Sequence, residues 1–124
     1  MIYLDTHVVV WLYAGLTDKL SETAKSLINE NDILISPICR LELQYLHEIG
    51  RISAGPEVII PALSKQIGLR VCDKEFDVIT ALACTLKWTR DPFDRIIAAN
   101  AGLQENVLLT KDQTILGNYD SAVW

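Results

Sequence analysis

Residues 1–12 read Met1-Ile2-Tyr3-Leu4-Asp5-Thr6-His7-Val8-Val9-Val10-Trp11-Leu12, an apolar run interrupted by a carboxylate. The first four residues have the character of a short buried strand, and Asp5 ends it. A helix is expected to begin near His7. Strand, acid and helix in immediate succession form the opening of a βαβ unit, and the rest of the chain repeats the alternation. Apolar runs recur at Ile33-Leu34-Ile35, Leu69-Arg70-Val71-Cys72 and Val107-Leu108-Leu109, with longer helical patterns between them. A brief edge strand at Ala122-Val123-Trp124 would add one more. The expected architecture is α/β, one domain over residues 1–124, around a central parallel sheet of about four or five strands.

The helices announce themselves through their ends. Ser21 followed by Glu22 starts a pattern through Ala24, Leu27 and Ile28. Ser36-Pro37 is an N-cap and first-turn pair for a helix reaching about Gly50. Gly55-Pro56 starts another that ends near Gly68, with Pro61 expected to kink or split it. Lys74 to about Trp88 carries Phe76, Ile79, Ala83 and Leu86 at helical spacing. Asp91-Pro92 caps a helix from Phe93 to Ala101, closed by Gly102.

The 124 residues suit one domain; half are apolar and 22% are charged, which excludes a disordered chain. The apolar stretch Val8–Leu16 is too short to cross a bilayer and has no basic leader, so a cytoplasmic protein is expected. Cys39, Cys72 and Cys84 are odd in number and unpaired in spacing, and are read as small core hydrophobes in a reducing compartment. The net charge of −5 argues against a broad electrostatic grip on nucleic acid.

That charge has a pattern. Asp5 and Asp112 each follow a strand-like run, Glu42 lies among Ile38, Cys39, Tyr45 and Leu46 on a largely apolar helix face, and Asp94 shares a face with Ile97, Ala98 and Ala101. Ligands of open α/β sheets bind beyond the carboxyl ends of the strands, which places Asp5, Glu42 and Asp112 near one edge. Four carboxylates buried together would be prohibitive without a cation. As a set they suit Mg²⁺ or Mn²⁺, hard ions that take few protein oxygens, lower the pKa of a bound water and stabilise charge on an attacked phosphate. Each also has a plainer reading: Asp5 as a helix N-cap, Glu42 as a solvated rim residue paired with Arg40 or a neighbouring lysine, Asp94 as a capping-box partner of Asp91, Asp112 as a turn residue. Asp91 is the natural N-cap before Pro92. Thr6 and Thr110 either orient a water or phosphate or tie down the strand ends. Lys111, Arg90, Arg95 and Arg40 adjoin the acids, as phosphate contacts or as surface charge. His7 is expected beside the site and His47 on a helix surface.

Tyr3-Leu4-Asp5-Thr6-His7, Leu41-Glu42-Leu43, Asp91-Pro92-Phe93-Asp94-Arg95-Ile96-Ile97-Ala98-Ala99 and Leu109-Thr110-Lys111-Asp112, in that order, resemble a PIN domain. More narrowly they resemble the VapC-type toxins of bacterial and archaeal toxin–antitoxin modules. The resemblance implies a three-layer α/β/α domain with an acidic, Mg²⁺-dependent ribonuclease site. It maps the acidic positions onto Asp5, Glu42, Asp94 and Asp112, with Asp91 as a supplement. Asp5, Asp94 and Asp112 would then hold the metal, and Glu42 would bind it directly or through water and help activate the nucleophile. It also implies a homodimer and a small antitoxin whose C-terminal segment wraps the toxin.

Two other classes compete. A phosphoacceptor receiver domain is also α/β and acidic, with a late lysine like Lys111, but it needs a phosphoacceptor after the third strand, where Asp73 is the candidate, and leaves Glu42 idle. A non-catalytic PIN-fold binding module would not need the full acidic set. A haloacid-dehalogenase-like phosphatase would need a second Asp where His7 stands.

Overall fold

The computed structural model describes residues 1–124. Five short strands form one sheet: β1 (Ile2–Leu4), β2 (Ile33–Ile35), β3 (Arg70–Val71), β4 (Val107–Leu109) and β5 (Ala122–Val123). Their order is β3-β2-β1-β4-β5, and every pairing is parallel. In the central strand, Tyr3 stands opposite both Leu34 and Leu108, and Leu4 opposite Leu109. All residues of β1 and β2 are buried. A strand covered on both faces must be apolar throughout, which is why Ile2-Tyr3-Leu4 and Ile33-Leu34-Ile35 run without alternation.

The covering helices are α1 (Thr6–Ala14), α2 (Glu22–Glu30), α3 (Ile38–Glu48), α4 (Pro56–Ile67), α5 (Phe76–Ala83), α6 (Pro92–Gly102) and α7 (Gln113–Asn118). They make the three-layer α/β/α arrangement expected. Ser21 caps α2 through Ala24 N–H, and Gly68, at φ 73°, turns the chain out of α4 in the left-handed conformation that glycine adopts without strain. One core cluster takes in all of β1 and β2, together with Leu43, Leu63, Ile97, Leu108 and Leu109, while Ile79, Ala83 and Ala99 form a small second cluster where α5 meets α6.

Several local expectations change. Pro61 does not split α4, which runs unbroken from Pro56 to Ile67; Pro61 and Glu57 are both exposed, so water can satisfy the carbonyl the proline leaves unpaired. α5 ends at Ala83, well short of Trp88. There the Thr85 hydroxyl donates to the Leu82 carbonyl at 2.7 Å and competes for a group the helix would use. Cys39 and Cys72 are buried as expected, but Cys84 is exposed at the end of α5. α7 was not legible, because Gly117 and Asn118 fall inside a segment too short to show a period.

Topology sets the place of the site. The chain runs outward from β1 through β2 to β3, then returns to the other side of β1 for β4 and β5. The connections leave β1 and β4 in opposite directions, and the crevice between their carboxyl ends is the switch point where open α/β sheets bind ligands. Asp5 follows β1 there, and Thr110-Lys111-Asp112 follows β4. Because Leu4 is fully buried between these neighbours, Leu4→Ala should cost about 2–5 kcal/mol, read as a lower urea midpoint at unchanged slope.

Candidate active site

Three helices begin at the crevice, and each is capped by a carboxylate. Asp5 accepts from Thr6 N–H at 2.7 Å, Asp91 from Phe93 and Asp94 N–H at 2.9 and 3.2 Å, and Asp112 from Ile115 N–H at 3.0 Å. In every case the capping oxygen is Oδ1, so Oδ2 is not spent on the helix. Capping and a site role, set against each other in the sequence, are compatible in one side chain. The positive ends of α1, α6 and α7 also make the crevice a favourable place for negative charge.

Thr110 ties the two central strands together. Its hydroxyl donates to Asp5 Oδ2 at 2.7 Å and accepts from Asp112 N–H at 3.0 Å. Both Asp5 and Thr110 are buried, so this bond orients a carboxylate that rotation could otherwise turn away. His7 stands next to it. Its Nε2 accepts from Lys111 N–H at 2.9 Å, and its Nδ1 lies 3.6 Å from Asp5 Oδ2. An imidazole that accepts at Nε2 is neutral there, in accord with burial, which outweighs Asp5 and Asp112 and lowers its pKa.

Glu42 and Asp94 come from α3 and α6, which pack together with the Tyr45 and Phe93 rings 6.2 Å apart. Both face a cavity of about 350 Å³ lined by Asp5, Thr6, His7, Val10, Trp11, Glu42, Leu46, Ile52, Asp91, Asp94 and Asp112. All five carboxylates and Thr6 meet there, while Thr110 acts from behind through Asp5. No lysine or arginine lines the cavity. Glu42 has no ion pair with Arg40, and Arg95 donates its Nε–H to the Thr89 carbonyl at 2.7 Å. Asp73, the phosphoacceptor a receiver domain would need, is exposed after edge strand β3 and outside the cavity.

The electrostatics follow from that composition. Burial first, then the neighbouring Asp91, Asp5, Asp112 and Glu42 charges, push the Asp94 carboxyl up to about 7. Burial, with smaller contributions from Asp5 and Asp91, raises Glu42 to about 7. The Thr6 hydroxyl lies close enough to relieve Glu42 in part, but without the geometry of a hydrogen bond. Glu42 Oε1 and Thr6 Oγ1 are both buried and without partners. No three His, Cys, Asp or Glu side chains are already arranged to hold a metal ion. The carboxylates therefore share a cavity without forming a closed cage.

What the fold and the site define is a three-layer α/β/α protein with an acidic cavity at the switch point of a parallel sheet. The PIN domain family model matches residues 2–118, and the chain belongs to that family. A toxin–antitoxin complex from Klebsiella pneumoniae contains a similar chain, 19% identical, with a TM-score of 0.70 over 100% of this chain and 97% of that one. VapBC2 from Rickettsia felis, solved bound to a DNA fragment from its promoter, is 21% identical with a TM-score of 0.70 over 100% and 98%. Both likenesses are of fold. Comparison with curated protein sequences returns no match. No helix is long and apolar enough to cross a membrane.

Two aromatic residues of the neighbourhood were not singled out from the sequence. Trp11 lines the cavity, and Trp124 packs on it with ring centroids 5.8 Å apart. Only the parallel pairing of β5 with β4 brings Trp124 near α1, so no local signal marks it.

The raised carboxyls make stability depend on pH with a definite sign. For Asp94 and Glu42 the folded-state value of about 7 exceeds the ordinary values of 3.8 and 4.5. Their contribution is fully present below those ordinary values and is lost as pH rises through about 7. In chelator, Asp94→Asn should therefore be more stable than the parent chain at pH 8, with the two converging toward pH 4. Urea midpoints across that range check it, and a parent chain that gains on Asp94→Asn as pH rises would contradict the assignment.

Proposed function

We propose that this chain is a Mg²⁺-dependent endoribonuclease, the toxin of a toxin–antitoxin module, working in the cytoplasm as a homodimer under the control of a small antitoxin protein. The observation that carries the nuclease reading is the convergence of Asp5, Glu42, Asp91, Asp94 and Asp112 on one cavity without a lysine or arginine. Such a cavity calls for a cation. Unpartnered Glu42 Oε1 and the raised Glu42 and Asp94 carboxyls are the marks of a donor set that lacks its positive charge. Hard oxygen donors fit Mg²⁺ or Mn²⁺ rather than a softer ion. The toxin role draws support from the likeness in fold to chains of toxin–antitoxin complexes.

Asp5, Asp94 and Asp112 would hold the ion, with Asp91 Oδ2 available beside them. Bound there, it would supply charge neutralisation at the phosphate and acidify a water. The chain's own residues do the rest. Thr110 holds Asp5 in one orientation through its 2.7 Å hydrogen bond. Glu42, on the facing helix, would take the proton of an attacking water, a role that its buried and unpartnered Oε1 supports. Val10, Trp11, Leu46 and Ile52 form the apolar part of the wall.

Cleavage of total cellular RNA should require Mg²⁺, stop in excess chelator, and leave 5′-phosphate and 3′-hydroxyl ends. Asp5→Asn and Asp94→Asn should each reduce it on the order of a hundredfold or more while the fold, checked by circular dichroism, persists. Cyclic-phosphate ends, or full activity in chelator, would sink the mechanism.

A further inference from the structure

An acidic cavity repels the polyanion that this reading asks it to accept, so some other part of the surface must hold the chain of phosphates. One rim of the cavity has the right chemistry. Trp11, on α1, lies with its ring centroid 4.9 Å from that of His7, and Trp124 packs 5.8 Å from Trp11 and 6.3 Å from His7. All three rings are partly exposed, and Trp11 and His7 also line the cavity. Two lysines stand over the same indole: Lys19 Nζ is 5.4 Å and Lys111 Nζ 6.0 Å from the Trp11 ring centroid. Both are exposed, and neither pairs with an Asp or Glu. Lys111 is held there by its own backbone N–H, which donates to His7 Nε2 at 2.9 Å.

A tryptophan that served packing alone would not need two uncommitted ammonium groups over it. Aromatic faces that stack bases, interleaved with cations that meet the phosphates between them, are the way proteins hold single-stranded nucleic acid. We infer that Trp11 and Trp124, with Lys19 and Lys111, form a stacking subsite for an unpaired nucleotide next to the phosphate to be cut. The inference rests on the nuclease reading above and adds to it where the strand lies. On binding, a base takes the indole face, and the lysines exchange a cation–π contact for a phosphate. A duplex keeps its base faces stacked on one another and has none to offer. Trp11 is a positioning residue in this scheme: it brings the neighbouring phosphate to the cavity and touches no reacting atom.

The test uses the full chain carrying Asp94→Asn, so that RNA is bound without being cut, and a fluorescein-labelled single-stranded oligoribonucleotide of mixed sequence beside its duplex. Trp11→Ala should weaken single-strand binding about tenfold, the worth of one base–aromatic stack. Trp11→Phe, which keeps a ring, should retain most of the affinity, and the duplex should bind weakly and ignore both changes. Lys19→Ala with Lys111→Ala should flatten the salt dependence by roughly 1.4 in log–log slope. In the active chain, Trp11→Ala should raise KM more than it lowers kcat. Should Trp11→Ala not fold, Trp124→Ala at the sheet edge carries the same comparison. A folded Trp11→Ala chain that binds single strands as tightly as the parent overturns the subsite; Mg²⁺-dependent cleavage by the parent would then leave the nuclease reading standing. If the parent neither binds nor cuts RNA, both fall.

Discussion

Carboxylates that share a small cavity repel one another, and that repulsion must be met by whatever surrounds them. In this chain it is met incompletely. Three helix N-termini point at the crevice, the Thr110 hydroxyl binds Asp5, and Thr6 lies against Glu42. The unmet remainder appears as Glu42 and Asp94 carboxyls pushed up to about 7 and as a buried Glu42 oxygen without a partner. That deficit is the physical basis for the proposal that the cavity takes a divalent cation.

The supports of the site are spread over the whole fold, which is why a domain this small can hold it. β1 and β4 supply Asp5 and Asp112 at their carboxyl ends, joined by a hydroxyl relay. α3 and α6 supply Glu42 and Asp94 from helices held together by aromatic contact. Because each strand is only two or three residues long, its end is set by the buried residues just before it, and a slip in one strand would move a carboxylate. The acidic centre is thus coupled to core packing.

Charge of the opposite sign is kept outside the cavity. His7 is held neutral by accepting from Lys111 N–H, so it adds no cation that would compete with a metal. Lys111 and Lys19 stay on the rim against Trp11. The net charge of −5 therefore hides a local division, carboxylates inside and ammonium groups at the edge, suited to a metal and a phosphate chain respectively.

The sequence by itself determined the α/β alternation and the parallel sheet, and it marked the carboxylates that the fold brings to one cavity, because strands buried on both faces and carboxylates on apolar faces leave local marks. Ile2-Tyr3-Leu4 and Ile33-Leu34-Ile35 could be read at once, and Glu42 stood out among Ile38, Cys39, Tyr45 and Leu46. Choices between capping and ligation could not be made from sequence, since both use the same residue types; the structure shows Asp5, Asp91 and Asp112 each capping through Oδ1 alone, with Asp5 Oδ2 held by the Thr110 hydroxyl. The length of α5 and the continuity of α4 past Pro61 turned on competing hydrogen bonds and solvent exposure, which have no signature in residue order, and α7 was too short to show a period. Tertiary structure alone decided that Trp124 meets Trp11 and that two lysines flank them. Strand order brings these groups together across more than a hundred residues of chain, and no local pattern records strand order.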